Sequence, residues 1–479
     1  MGSTASSDIA PKDRVKASWL FAYSLPGLPI AAMGLPLAVH LPNFYAVEVG
    51  LGYAAAGFIF FLPRFLDIFL DPVMGVASDS IHTPWGRRRV WMVASVPIMI
   101  VASVLLFMPP AGITSVAAAG VVVLLFIGWT MLTVTHLAWG GELSGNYHER
   151  SRITAAREAA FIIGMFTVLL LPVIIQANGG DRFAQVAAFG WYVIVTLPIG
   201  VAVAVMVIKE DKSPPAPALH WRAALSSVAA NKPLRYLLFA DLIAGLSTGT
   251  VATLFLAMTT VGLALGTEAN WLLLIYFGMG VLFIPPMLWV SKRLGKHQTL
   301  AISSLINAVL IPCIFLLPKG EFVPAAILWT LFGANMAVGP FLFRAIMADV
   351  ADHDHVETGQ PRAGVYFALL AATNKLGYSA AIFFAFGTLA LIGFQQNVVN
   401  PPEVVNAMML LYVVPPTIVS AAVAAVMWRF PLDETKQREL RRIIEERSAA
   451  GTVIGEKLGH TLEAEEDVPV AAAVVKPAE

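Results

Sequence analysis

The side chains able to do chemistry in this chain are few, and they sit where charge is costly. Arg64, Asp67 and Asp71 fall inside one apolar stretch at spacings i, i+3 and i+7, which places them along one face of a helix. Each ionised group near a bilayer centre costs about 2.5–3.5 kcal/mol on the insertion scale. Two carboxylates one turn apart repel each other, and a cation between them relieves the repulsion. Such a pair suits a proton or a hard cation such as Na+, which takes several oxygen ligands. Arg64 is expected to hydrogen-bond Asp67 and offset part of the burial cost. Lys375, in Ala371-Ala372-Thr373-Asn374-Lys375-Leu376-Gly377, lies about 12 residues inside another apolar stretch. That is roughly 18 Å at helical rise, which is far for snorkelling. It needs a counter-charge, and the spare carboxylate of the Asp67–Asp71 pair is its natural partner. Lys375 would then be a tethered cation competing with a mobile one. A structural ion-pair network between helices is the alternative use of the same charges.

Other polar residues are more ambiguous. Asp241 lies within about two turns of the end of its apolar stretch, and structural and functional roles weigh equally. Thr133 and His136 are one turn apart, with Trp139 just beyond. A Thr hydroxyl can ligate a cation and an indole can stack on a sugar or lipid headgroup, while a structural histidine and an interfacial tryptophan fit equally well. Arg157 is either an anchor at a helix start or a ligand contact. His136, Trp139, Arg157 and Asn374 are the candidate substrate contacts. Walker-type Gly-Lys-Ser/Thr, His-Glu-x-x-His and Gly-x-Ser-x-Gly signals are absent, so enzymatic activity and ATP-driven transport are not expected.

The elements that must position these residues are membrane helices. Of 479 residues, 58% are hydrophobic and 13% charged, with mean hydropathy +0.74; soluble chains carry about 25% charge. The 31 basic residues balance the 31 acidic ones, so nothing favours nucleic acid. One cysteine, Cys313, excludes a disulfide framework and a Cys-based metal cluster. A ruler of about 20 apolar residues gives twelve spans, near 17–47, 51–79, 90–109, 112–140, 156–177, 186–208, 234–263, 269–291, 298–317, 322–350, 363–393 and 405–430. Gly27, Pro29, Gly34 and Pro36 make the first a bent helix rather than a signal peptide. Lys and Arg gather in alternate loops: Lys12, Arg14 and Lys16, then Arg87–Arg89, Arg150 and Arg152, Lys209 to Arg235, Lys292, Arg293 and Lys296, and the tail. The opposite loops hold Arg182 and Lys319. The positive-inside rule then puts both termini in the cytoplasm.

The long polar interruption at 209–233, with Ser213-Pro214-Pro215-Ala216-Pro217, divides the chain into an N-terminal bundle (1–208), a C-terminal bundle (234–430) and a tail (431–479). Gly86-Arg87-Arg88-Arg89 after the second span is echoed by Lys292-Arg293-Leu294-Gly295-Lys296 after the eighth. Six-plus-six repeats mark transporters whose site lies between two rocking bundles. Asp433 to Ser448 reads as a solvated helix rich in i,i+4 pairs, and the rest of the tail as flexible.

Arg64-x-x-Asp67-x-x-x-Asp71-Pro72-x-x-Gly75-x-x-x-Asp79 followed by Trp85-Gly86-Arg87-Arg88-Arg89 resembles the signature of the glycoside–pentoside–hexuronide:cation symporters, the melibiose permease group of the major facilitator superfamily. Trp139-Gly140-Gly141-Glu142-Leu143 with Tyr147-His148-Glu149-Arg150-Ser151-Arg152 resembles that group's loop after helix four. Asp349, Asp352, Gly364 and Lys375 resemble its helix ten to eleven region. The resemblance implies an all-α fold of twelve transmembrane helices in two six-helix bundles, in the plasma (inner) membrane. It implies Asp67, Asp71 and Thr133 as the cation site, Lys375 beside it with Arg64, and Arg157 near the substrate. The chain departs from the group at three places: no acid lies between Asp13 and Glu48, His136 replaces an acid on helix four, and Leu70 replaces an Asn beside the second helix-two acid. The expected function is Na+- or H+-coupled symport of a glycoside or related small solute by a monomer, with no cofactor beyond the coupling ion. Carriage of a lysolipid or other amphipathic metabolite, or a receptor or scaffold that has lost transport, are the alternatives.

Overall fold

The computed structural model describes residues 15–80, 83–144, 147–210, 231–336, 338–358, 363–396 and 398–432, with Lys436, Glu439, Leu440 and Arg442. Most of the central loop and nearly all of the tail, including most of the expected 433–448 helix, lie outside the described residues.

Twelve apolar helical spans follow in order, eleven of them continuous enough to cross a bilayer alone and the twelfth a bent pair. They are α1 (Ala17–Val47), α2 (Tyr53–Ser80), α3 (Arg88–Phe107), α4 (Ser115–Glu142), α5 (Tyr147–Ala177), α6 (Arg182–Val207), α7 (Lys232–Gly262), α8 (Ala269–Leu282 and Ile284–Leu294), α9 (Lys296–Leu316), α10 (Phe322–Thr358), α11 (Ala363–Leu391) and α12 (Pro402–Trp428). Large apolar side chains point outward along them: Met206, Leu316 and Leu391 are each more than three-quarters exposed. Such exposure suits lipid rather than water, and helices satisfy their own backbone groups there. The protein is an integral membrane protein.

Local sequence explains the irregularities. Proline lacks an N–H and cannot complete the backbone ladder, and α1, with Pro26, Pro29, Pro36 and Pro42, breaks at Leu25–Pro26 and widens into a π turn at Pro36–His40. Pro285 and Pro286 open the second segment of α8, which bends 50° from the first. Thr114, Asp181 and Asn231 cap α4, α6 and α7 by accepting from the backbone N–H groups of Ala117, Ala184 and Leu234. The expected spans agree with these helices to within a few residues, with two main differences. α5 starts at Tyr147 rather than 156 and α10 runs to Thr358 rather than 350. The extra turns are polar, so hydropathy is blind to them.

Packing repeats between the halves. The pairs α1–α5, α2–α4, α3–α4 and α3–α6 recur as α7–α11, α8–α10, α9–α10 and α9–α12. Each half also ties its basic loop to the end of its fourth helix. Arg87 and Arg88 bond Glu142 at 2.7 Å, and Lys296 bonds Asp349 at 2.7 Å. Glu210 accepts from the backbone N–H groups of Arg87, Arg88 and Arg89 at 2.8, 2.8 and 3.2 Å. Between the halves, α2 lies against α11. Remote from the basic loops, Tyr53 of α2 packs on Phe386 and Phe394 at 5.3 and 5.7 Å, and Gln176 of α5 bonds Asn270 of α8 at 3.2 Å.

Candidate ion-coupling site

α2 is two-faced, and that positions the site. Phe61, Phe65 and Phe69 stack at i,i+4 spacing, with centroids 5.6 Å apart at each step, and Phe69 is largely exposed. With that aromatic stripe outward, the face carrying Asp67 and Asp71 turns toward α4 and α11. There Lys375 Nζ donates to Asp67 Oδ2 and, at 2.5 Å, to Asp71 Oδ2. Thr130 of α4 donates its hydroxyl to the other oxygen of Asp67, also at 2.5 Å. Asp67 is buried, while the side chains of Asp71 and Lys375 are 36% and 33% exposed. One ammonium shared by two carboxylates leaves a negative charge over. Arg64 is placed to offset it at a distance: its guanidinium lies over the Tyr378 ring at 4.4 Å, an arrangement attractive in itself.

The structure thus brings Asp67, Asp71, Lys375 and Arg64 into one cluster across the α2–α11 contact. The hydrogen bond expected from Arg64 to Asp67 is not made; the guanidinium lies over the Tyr378 ring instead. Thr133 is turned elsewhere: its hydroxyl donates to the Trp129 carbonyl at 2.8 Å. Thr130, one turn earlier on α4, reaches the cluster instead. Asn374 points away from Lys375 and donates to Asp241 Oδ1 at 3.2 Å.

The candidate substrate residues form a second group in the N-terminal half. His136 is fully buried and stacks on Tyr23 of α1 at 4.4 Å, with Nε2 2.7 Å from the Tyr23 carbonyl. A carbonyl only accepts, so Nε2 carries the hydrogen, and Nδ1 is a buried atom without a hydrogen-bond partner. Trp139 is buried with its indole N–H unpaired, and Arg157 pairs with Glu158 at 2.6 Å while its buried Nε is unpaired. Thr130, Tyr378 and Tyr23 were not singled out in the sequence, although the first two lie one turn from residues that were.

A family model described as MFS/sugar transport protein matches residues 22–434. The chain belongs to that family. Its fold is the major facilitator fold of two six-helix bundles, and it is a transporter rather than an enzyme. It is 22% identical to the isoprimeverose transporter of Lactiplantibacillus pentosus, over 91% of this chain and 93% of that one. It is 22% identical to the glucuronide carrier protein homolog of Escherichia coli, over 85% and 90%. A putative 2,3-dihydroxypropane-1-sulfonate exporter of Escherichia coli is 23% identical over 85% and 90%. Among solved structures, a mutant of the nucleoside transporter NupG superposes with a TM-score of 0.68 at 11% identity, covering 87% of this chain and all of that one. The α2 motif, the family model and the transporter relatives point to the same group.

Proposed function

We propose that this transporter is a cation-coupled symporter that moves a glycoside or related small organic solute by alternating access, with Asp67 and Asp71 holding the ion. The observation that carries the reading is the Lys375 bridge to both carboxylates across the two halves. A mobile Na+ or proton that binds the carboxylates must displace the ammonium, and displacing it loosens the α2–α11 contact. Ion binding and rearrangement of the halves are then one event. The relatives' names support a small polyhydroxylated solute, and His136 Nδ1 suits a hydroxyl donor. On this reading the protein works as a monomer in the plasma (inner) membrane, with its basic loops and both termini cytoplasmic. The test is a substrate-library uptake screen in proteoliposomes under imposed Na+ or pH gradients. Accumulation of a solute only under one of those gradients is expected. Transport at equal rates without any ion gradient would overturn the coupling.

A further inference from the structure

Asp241 is a carboxylate that the ion-coupling cluster does not use. It lies on α7 at 2% exposure, and both of its oxygens are taken by α11: Thr373 donates to Oδ2 at 2.8 Å and Asn374 to Oδ1 at 3.2 Å. The two helices are in backbone contact around it. A Cβ on Gly377 would meet the Leu242 carbonyl oxygen at 2.0 Å, and one on Gly245 would meet that of Asn374 at 2.7 Å. The carboxylate therefore cannot withdraw from its donors without parting α7 from α11. Both donors are neutral. Among the charged groups of the packed elements, Arg344 of α10 acts on Asp241 through space without a hydrogen bond. Lys375 of α11 is committed to Asp67 and Asp71, Tyr378 of α11 lies under Arg64, and His40 of α1 is bonded to Arg182. Glu403 lies in the first turn of α12, and Tyr412 of that helix makes no hydrogen bond to Asp241 among the described residues. An ionised carboxylate held only by neutral donors is costly in such a setting.

The protonated acid, by contrast, is accommodated by one bond rotation. The Thr373 hydroxyl has a second acceptor, the Leu370 carbonyl at 3.0 Å. With a proton on Asp241 Oδ2, that hydroxyl accepts from the acid and donates to Leu370, while Asn374 keeps donating to Oδ1. The Thr373 hydroxyl has an acceptor in both states, and the acid proton has one in the protonated state.

We propose that Asp241, with Thr373 and Asn374, is a second proton-binding site, in the half of the molecule opposite Asp67 and Asp71. The proton comes from water and returns to water, with only an O–H bond made or broken. Because Thr373 and Asn374 immediately precede Lys375, the turn that reads the proton also carries the bridging ammonium; this last link rests on the proposed symport. Infrared difference spectra of the protein in lipid, acidic minus neutral pH, test the site without substrate or gradient. The expected result is a carboxylic-acid carbonyl band that Asp241→Asn loses and Asp67→Asn keeps. Thr373→Val, which removes the hydroxyl partner, should shift that band and its titration midpoint, and it serves if Asp241→Asn does not fold. A difference spectrum unchanged in Asp241→Asn, or an unshifted band in Thr373→Val, would overturn the site. Solute transport indifferent to every ion gradient would overturn symport instead and leave the Asp241 band in place.

Discussion

The ammonium of Lys375 is shared between two acids, and each substitution at this triad shifts the balance of charge differently. In Asp67→Asn or Asp71→Asn the ammonium keeps one carboxylate, so no buried charge is stranded and the fold should survive. What is lost is the anionic pair proposed to bind the mobile cation. Solute accumulation should fall to the level of simple equilibration in proteoliposomes, with membrane insertion unchanged; gradient-driven uptake at the parent's level in both variants would contradict the assignment. Lys375→Ala does the opposite. It leaves two carboxylates whose repulsion only an added ion can relieve, so coupling should fail and residual transport should follow pH or Na+ concentration more steeply than in the parent. Uptake measured from pH 5.5 to 8 checks this, and parental behaviour throughout would mean that the ammonium is not a competitor for the ion. The charged members of the cluster were legible in the sequence because charge inside an apolar stretch demands a partner. Thr130, Tyr378 and Tyr23 were not, because a hydroxyl or an aromatic ring costs little anywhere on a membrane helix. The orientation of Thr133 and Asn374 was equally hidden, since spacing fixes a face but not which neighbour a side chain meets.

At the scale of helices, the spans were readable from apolar length alone, and the prolines of α1 and α8 marked where they break. The polar first turns of α5 and the polar end of α10 were not readable by that ruler, because they are built from charged residues such as Glu149, Arg152, Asp352 and Asp354. Nor did hydropathy reveal how closely two helices approach. Gly377 and Gly387 lie on the same helix, yet a Cβ on Gly377 would meet the Leu242 carbonyl oxygen at 2.0 Å while one on Gly387 meets nothing within 4 Å. Overpacking typically costs about 1–3 kcal/mol, and an unyielding backbone atom puts Gly377→Ala at the upper end of that range. Gly377→Ala should lower the thermal unfolding midpoint of the detergent-solubilised protein by several degrees and Gly387→Ala should leave it in place. Equal midpoints for the two would mean that α7 and α11 can separate freely.

For the whole molecule, the repeat of helix pairings means that two similar bundles meet along α2 and α11, closed at the end remote from the basic loops by Tyr53, Phe386 and Phe394. A Cβ on Gly57 would lie 3.0 Å from that of Phe386, near the Cβ separation of a disulfide, about 3.5–4.5 Å. A double variant, Gly57→Cys with Phe386→Cys in a Cys313→Ser background, should cross-link on oxidation, stop transport, and recover it on reduction. Transport that persists in the oxidised protein would mean that this end need not open. The two bundles are joined covalently by a single stretch of about twenty residues between Glu210 and Asn231. Glu210 is fastened to the start of α3 by three backbone hydrogen bonds, and Asn231 caps α7. Among the described residues every contact between the bundles is non-covalent, and on the proposed symport the ammonium shared between α2 and α11 is the point at which one small ion would act on both.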